Sequence, residues 1–311
     1  MSIVNVIGHK VPDTDSIISA LVFAEYLVKS GVEAKAFRLG ELNNETRFIF
    51  DNVGADVPEL STGFEASSKI ALVDHNEKSQ TVDNIDELDL EYIVDHHKIG
   101  ALSTSKPIFV RFENIGSTNT LLYKMYSEAS FEISKTNAIL MISAIISDTL
   151  LFRSPTTTSE DVKAIEELNK IALIDDLEGY ALKMFNAKSD LGDISVGDLI
   201  KLDYKEFDVG NFKIGAGTIE TTNPDYSLNR KTEIVSKMQE IKSENRLDII
   251  ILSVVDILNE KNITIISDEH DEKIVKDVFG VASSDNLADL GARISRKKQI
   301  IPQLTEYYNK L

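Results

Sequence analysis

The chain has 311 residues, 42% of them hydrophobic and 27% charged, an ordinary globular make-up and enough length for two domains that each bury a core. Lys and Arg number 33 against 51 Asp and Glu, a net charge of −18, which repels phosphate backbones and anionic bilayers and argues against general nucleic-acid or membrane binding. Acidity of this kind can simply keep a protein soluble, but metal ions or a local cluster of cations would still admit a small polyanion.

The opening segment, Met-Ser-Ile-Val-Asn-Val, is strand-like and carries no basic run, so no signal peptide is expected. No apolar run reaches the ~18 residues of a membrane span, and the absence of cysteine leaves any metal to His and carboxylates. A cytoplasmic location without membrane contact follows as an expectation. Ile3–Ile7 reads as a buried strand, followed by a polar loop and a helix from about Thr14 to Lys29 that stops at Gly31. Glu33–Leu39 is the next strand and Asn44–Asn52 a helix closed by Gly54. Lys69–Asp74, Glu91–Asp95 and Pro107–Phe112 are short β-rich runs. Helices follow near Ser117–Ser127 and Lys135–Ser147, the second apolar all round and therefore buried. Two more helical stretches reach about Lys188, and the polar Ser189–Asp193 suits a linker. Beyond it, Phe207–Glu220 and Leu247–Ile257 read as strands around a helix near Leu228–Ser243, and Ile263–Ser267 with a short helix completes the pattern. The fold class expected is α/β: a doubly wound, mainly parallel N-terminal sheet with a second, smaller α/β domain.

Ligands of open parallel sheets sit at the carboxyl ends of strands, and that is where the histidines gather. Gly8-His9-Lys10-Val11-Pro12-Asp13-Thr14-Asp15-Ser16 follows the first strand. Asp74-His75 follows Ile70–Val73, and Asp95-His96-His97 follows Tyr92–Val94. Asp148 ends the wholly apolar helix, where an ionised carboxylate is costly unless it is paired or metal-bound. Imidazoles among carboxylates suit a divalent ion such as Mn²⁺ or Mg²⁺. Asp13 or Asp15 could instead merely cap the helix that begins near Ser16. The turn Asn114–Asn119 could face an anion with its free N–H groups, support His97, or only cap a helix. Arg293–Lys298 is a basic run in an acidic chain, and His270, among acidic neighbours, reads as a solvated surface residue.

Together these segments resemble the DHH phosphoesterase superfamily, named for the triplet seen here as Asp95-His96-His97, and within it the manganese-dependent family II inorganic pyrophosphatases. The loop Gly8–Ser16, the run Asp74–Glu77, Ser147-Asp148-Thr149 and Ser295-Arg296-Lys297-Lys298-Gln299 match that family in order along essentially the whole chain. The resemblance implies hydrolysis of inorganic pyrophosphate to two phosphates. It implies that His9, Asp13 and Asp74 bind one metal and that Asp15, Asp74, His96 and Asp148 bind the other, with Asp74 bridging. Two ions roughly 3.5–4 Å apart would turn a shared water into a hydroxide nucleophile near neutral pH. Asp15 and Asp74 would thus be catalytic as well as ligating.

By the same resemblance, two Mn²⁺ are expected per subunit, with Co²⁺ as an alternative and further Mg²⁺ arriving with the substrate. His97 would contact the leaving-group side and could donate a proton, and His75 would orient the cluster. Lys205, Arg296 and Lys297 would bind the substrate phosphates. Residues 1–188 would form the metal-binding catalytic domain, 189–195 a linker and 196–311 the substrate-binding domain, closing over the substrate as a cleft in a homodimer. The family's regulatory insert between the domains is missing. A relative acting on oligonucleotides or cyclic dinucleotides would carry a Gly-Gly-Gly-His-type loop, which is absent. A polyphosphate exophosphatase is a closer alternative, and a metal-containing nucleotide sensor would bind without releasing phosphate.

Overall fold

The computed structural model describes residues 3–100 and 103–310; Met1 and Ser2, the first two residues of the strand-like opening, lie outside them. The chain divides into two compact units, Met1–Ala187 and Lys188–Leu311. In the first, β1 (Val4–Ile7), α1 (Thr14–Lys29), β2 (Ala34–Arg38), α2 (Asn44–Val53) and β3 (Glu59–Leu60) follow in sequence. Then come β4 (Lys69–Val73), β5 (Asp89–Asp95) and β6 (Phe109–Phe112). All six strands are parallel, in the order β3-β2-β1-β4-β5-β6. The chain therefore winds outward in one direction from β1 to β3 and in the other from β4 to β6. The loops after β1 and β4 part company where the order reverses, which opens the crevice in which such sheets bind ligands.

Helices α3 (Thr118–Glu128), α4 (Lys135–Thr149), α5 (Ser159–Ala172) and α6 (Leu177–Ser189) complete this half. Leu140, Met141, Ile142 and Ala144–Ile146 of α4 are all buried, as its all-round apolarity requires. Among the described residues no helix is long and apolar enough to cross a membrane.

The second unit contains α7 (Val196–Lys201), β7 (Tyr204–Val209), β8 (Phe212–Thr221), α8 (Asp225–Leu228) and α9 (Lys231–Asn245). It continues with β9 (Ile249–Asp256), β10 (Lys261–Ile266), α10 (Glu269–Phe279) and β11 (Leu287–Gly291). A π-helical turn (Arg296–Ile300) and α11 (Ile301–Tyr308) end it. Its sheet runs β11-β10-β9-β8-β7 and is mixed, with only β8 and β9 parallel. Strand periodicity divides the core between two faces. Ile249 and Ile251 pack with α10 and α11, whereas Ile250, Leu252 and Val254 pack with α7 and α9.

One expectation differs from this structure and another gains detail. The run Phe207–Glu220 is not one strand but a hairpin, β7 to β8, turned at Gly210-Asn211 with Gly210 in the left-handed region at φ +60°. The polar stretch Ser189–Asp193 does not hang free. Tyr226 Oη donates to Gly192 O at 2.6 Å, Thr222 N to Ser189 Oγ at 2.8 Å, and Leu191 packs on the α7–α9 core. Its anchors lie more than thirty residues downstream, where local composition gives no sign of them.

Candidate active site

Gly8 ends β1 against the start of α1. A Cβ there would sit 2.7 Å from the Ser16 carbonyl oxygen, so only glycine lets the helix begin this close, with Ser16 Oγ accepting from His9 N at 2.9 Å. Asp13 is the N-cap: its Oδ1 accepts from Ser16 N at 2.9 Å while its Oδ2 lies 3.4 Å from His9 Nε2. The two readings of Asp13 are therefore compatible, one oxygen for each. Asp74 directly follows β4 with φ +60°, a left-handed conformation that Asp tolerates better than most residues, and its N–H donates to Val94 O. Asp74 Oδ2 faces His9 Nε2 at 3.5 Å and Oδ1 faces His96 Nε2 at 3.4 Å. Asp148 Oδ2 lies 3.3 Å from the same His96 nitrogen.

Three clusters of possible ligand atoms result, each with its members within 4.8 Å of one another: His9, Asp13 and Asp74; Asp15, Asp74, His96 and Asp148; and Asp74, His96 and His97. His96 Nδ1 donates to Ile115 O at 2.9 Å, so in the neutral ring the Nε2 lone pair points at Asp74 and Asp148. A lone pair aimed at two carboxylates is repulsive unless a cation lies among them. Asp74 Oδ2 is buried and receives no hydrogen bond from the described residues. Nitrogen and carboxylate donors in this proportion fit a borderline divalent ion.

Electrostatics point the same way. Burial, then the Asp74 and Asp148 charges, push Asp15 well above the ordinary carboxylate range. Burial likewise lifts Asp148 to about 6. In Asp74 burial is outweighed by the nearby His9 and His96 rings when these are protonated, which holds it well below that range. Four crowded carboxylates resist sharing one pocket until positive charge joins them.

The turn Asn114–Asn119 faces an anion, and that anion is Asp15. Ser117 Oγ, Thr118 N and Asn119 Nδ2 donate to its carboxylate at 2.7, 2.7 and 2.8 Å, at the positive end of α3. Thr118 Oγ1 also reaches Asp74 Oδ1 at 2.9 Å. The turn is held in place by buried Asp161, whose carboxylate accepts from Gly116 N and Thr120 Oγ1. His97 leans on its own triplet instead: Nδ1 donates to Asp95 Oδ1 at 2.9 Å, which leaves Nε2 as the outward nitrogen. Burial raises Asp95, but the His97 hydrogen bond and charge bring it down to about 2. Asn76 Nδ2 braces the other Asp95 oxygen. His75 Nδ1 donates to Val73 O, and its ring meets His9 edge-on; burial drives its pKa down to about 4, so it is a neutral packing partner.

In the second unit, Arg296 Nη1 donates to Asp203 O at 2.6 Å and to Ala216 O at 3.3 Å, and Nη2 to Asp203 Oδ1 at 2.6 Å. Ala216 is the register partner of Lys205. Arg296 is thereby brought, from more than ninety residues away, beside the strand that carries Lys205. Lys297 follows it, exposed, in the π-helical turn. His270 is exposed at the start of α10, as expected.

Residues 3–145 match the DHH family, N-terminal domain, and residues 182–307 the DHHA2 domain. A Deinococcus radiodurans protein named a probable manganese-dependent inorganic pyrophosphatase is 47% identical over 97% of this chain and 98% of its own. The chain belongs to the manganese-dependent, family II inorganic pyrophosphatases. A Bacillus licheniformis protein of the same name is 42% identical over 98% of this chain and 99% of its own. A Methanococcus jannaschii crystal structure, named for a family II inorganic pyrophosphatase, superposes with a TM-score of 0.88 at 35% identity, covering 98% of this chain and 99% of that one. For this member of the family, Asn76 and Asp161 carry structural weight that their sequence context did not reveal. The triplet position of Asp95 and the Ser-Thr-Asn run at a helix start did give a signal.

Proposed function

We propose that this chain hydrolyses inorganic pyrophosphate to two phosphates, with manganese as its metal. The observation that carries the reading is the Asp74 carboxylate, whose two oxygens face two different histidines while a further three carboxylates crowd around. The names of the 47% and 42% identical relatives support both metal and substrate. His9, Asp13 and Asp74 would hold one ion, and Asp15, Asp74, His96 and Asp148 the other. Ions bound there would acidify a water and neutralise phosphate charge.

The side chains have distinct tasks. Asp95 accepts from His97 Nδ1 and favours the imidazolium, and in that doubly protonated form His97 can pass its Nε2 proton to the departing phosphate. The α3 start holds Asp15 by hydrogen bonds that cost no rearrangement during turnover. Lys205, Arg296 and Lys297 hold the phosphates, Arg296 with a planar fork and the lysines as point charges. Residues 1–188 serve the metals and 196–311 the substrate, in a cytoplasmic homodimer.

Phosphate release tests this directly. Metal-stripped protein should be inactive on pyrophosphate. Mn²⁺ or Co²⁺ should restore it better than Mg²⁺, because imidazole ligands favour transition metals. Faster release from tripolyphosphate than from pyrophosphate would make it a polyphosphatase. Tight binding with no release would make it a sensor.

A further inference from the structure

Glu45 lies in the first turn of α2 and is fully buried, at 0% exposure. Its Oε2 accepts hydrogen bonds from Thr14 Oγ1 at 3.1 Å and from Ser147 Oγ at 2.7 Å. Thr14 stands between Asp13 and Asp15, and Ser147 immediately precedes Asp148. The single Thr14 hydroxyl proton goes to the carboxylate, so Thr46 Oγ1, 2.9 Å away, donates to Thr14. One carboxylate oxygen thus ties the start of α1 to the end of α4, two segments more than a hundred residues apart that carry three of the carboxylates assigned above to metal. Packing alone does not require a charge here: an apolar side chain of similar size would join the helices without the cost of burying a carboxylate.

We propose that Glu45 is a positioning residue that sets the separation between the Asp13–Asp15 segment and Asp148, and through it the affinity of the two-ion centre. This rests on the metal reading above and deepens it. Residues that orient ligands from behind alter metal affinity by about 10–100-fold when removed, because ligand atoms displaced by about half an ångström no longer match one ion's geometry.

The test is Mn²⁺ titration of metal-stripped protein, alongside its metal-free melting temperature. Glu45→Leu keeps the bulk and removes the acceptor: Mn²⁺ affinity should fall about 10–100-fold while the metal-free melting temperature holds. Glu45→Gln keeps an acceptor oxygen without the charge and should stay close to wild type. A Glu45→Leu protein with wild-type affinity would reduce Glu45 to packing. A Glu45→Gln protein as weak as Glu45→Leu would mean that charge acts, not position; either result overturns the proposal. Should Glu45→Leu fail to fold, Ser147→Ala carries the test: weaker Mn²⁺ binding supports the proposal and unchanged binding overturns it. A wild-type chain that binds no Mn²⁺ would instead sink the metal reading itself.

Discussion

The two units hold their functional side chains in opposite ways. In the first, Asp15, Asp74, His9 and His96 are buried, and the cluster is fastened from behind. Asp15 rests on the start of α3, His96 on Ile115 O and His97 on Asp95. In the second, Lys297 is exposed, and Arg296 is held by one half-exposed carboxylate and two carbonyls. A metal centre tolerates little displacement and needs such rigidity. A phosphate clamp that must admit and release its ligand can be shallow. Substitutions of the assigned metal ligands in the first unit should therefore change metal content, and those of the phosphate-contacting side chains in the second should change only kinetics.

The largest effect is expected at Asp74. Asp74→Asn should bring Mn²⁺ content toward zero and Asp13→Asn toward half, as read by metal analysis after gel filtration, because Asp74 is assigned to both ions. Equal losses would remove the sharing. Next comes His97→Gln, which should keep its metal and lose about 10²–10⁴-fold in kcat, the usual range for general acid–base catalysis. Metal loss in step with activity would make His97 a ligand. Across the divide, Arg296→Ala should raise KM and lower kcat at unchanged metal content, since a phosphate contact strengthens as charge redistributes in the transition state. Wild-type kinetics there would confine function to the first unit.

The same contrast explains what the sequence revealed. His9, Asp74 and His96 were legible because a parallel sheet delivers its loops to one edge, so chemistry-bearing residues that follow strands converge, and Asp148 because it is a carboxylate at the end of a wholly apolar helix. Glu45 and Asp161 were not legible: each looks like an acidic residue in the first turn of an exposed helix, and only tertiary contacts from far along the chain bury them. In the second unit β11 and the Gly210-Asn211 turn escaped notice, the strand because Leu287–Gly291 has just two buried residues. Arg296 meets Asp203 only through the fold.

A smaller effect probes the rear of the metal centre. Gly116→Ala would place a Cβ 2.7 Å from both Asp161 Oδ2 and Thr149 Cγ2. Overpacking at such a site costs about 1–3 kcal/mol, visible as a lower melting temperature. Because the Asp15 cradle begins at the next residue, weaker Mn²⁺ binding should accompany it. Destabilisation without any metal effect would separate this turn from the centre.

The smallest effect concerns the join between the units. Gly192 has φ +50° and open space around its Cα, so Gly192→Ala adds backbone strain of about 1–2 kcal/mol and no clash. Tyr226 and Arg230 hold the carbonyls of Gly192 and Ile194 at 2.6 and 2.9 Å. Hydrogen bonds at both points restrain the segment from flexing within itself. The expected outcome is a modest fall in unfolding free energy measured in denaturant, with kcat and KM unchanged. A kcat that fell while stability held would show that 189–195 changes conformation during turnover, which would place a hinge there after all. Tyr226→Phe separates the two cases further: it removes the Gly192 contact without touching the backbone, and would speed a hinge that the hydroxyl restrains while leaving a rigid segment's turnover as it was.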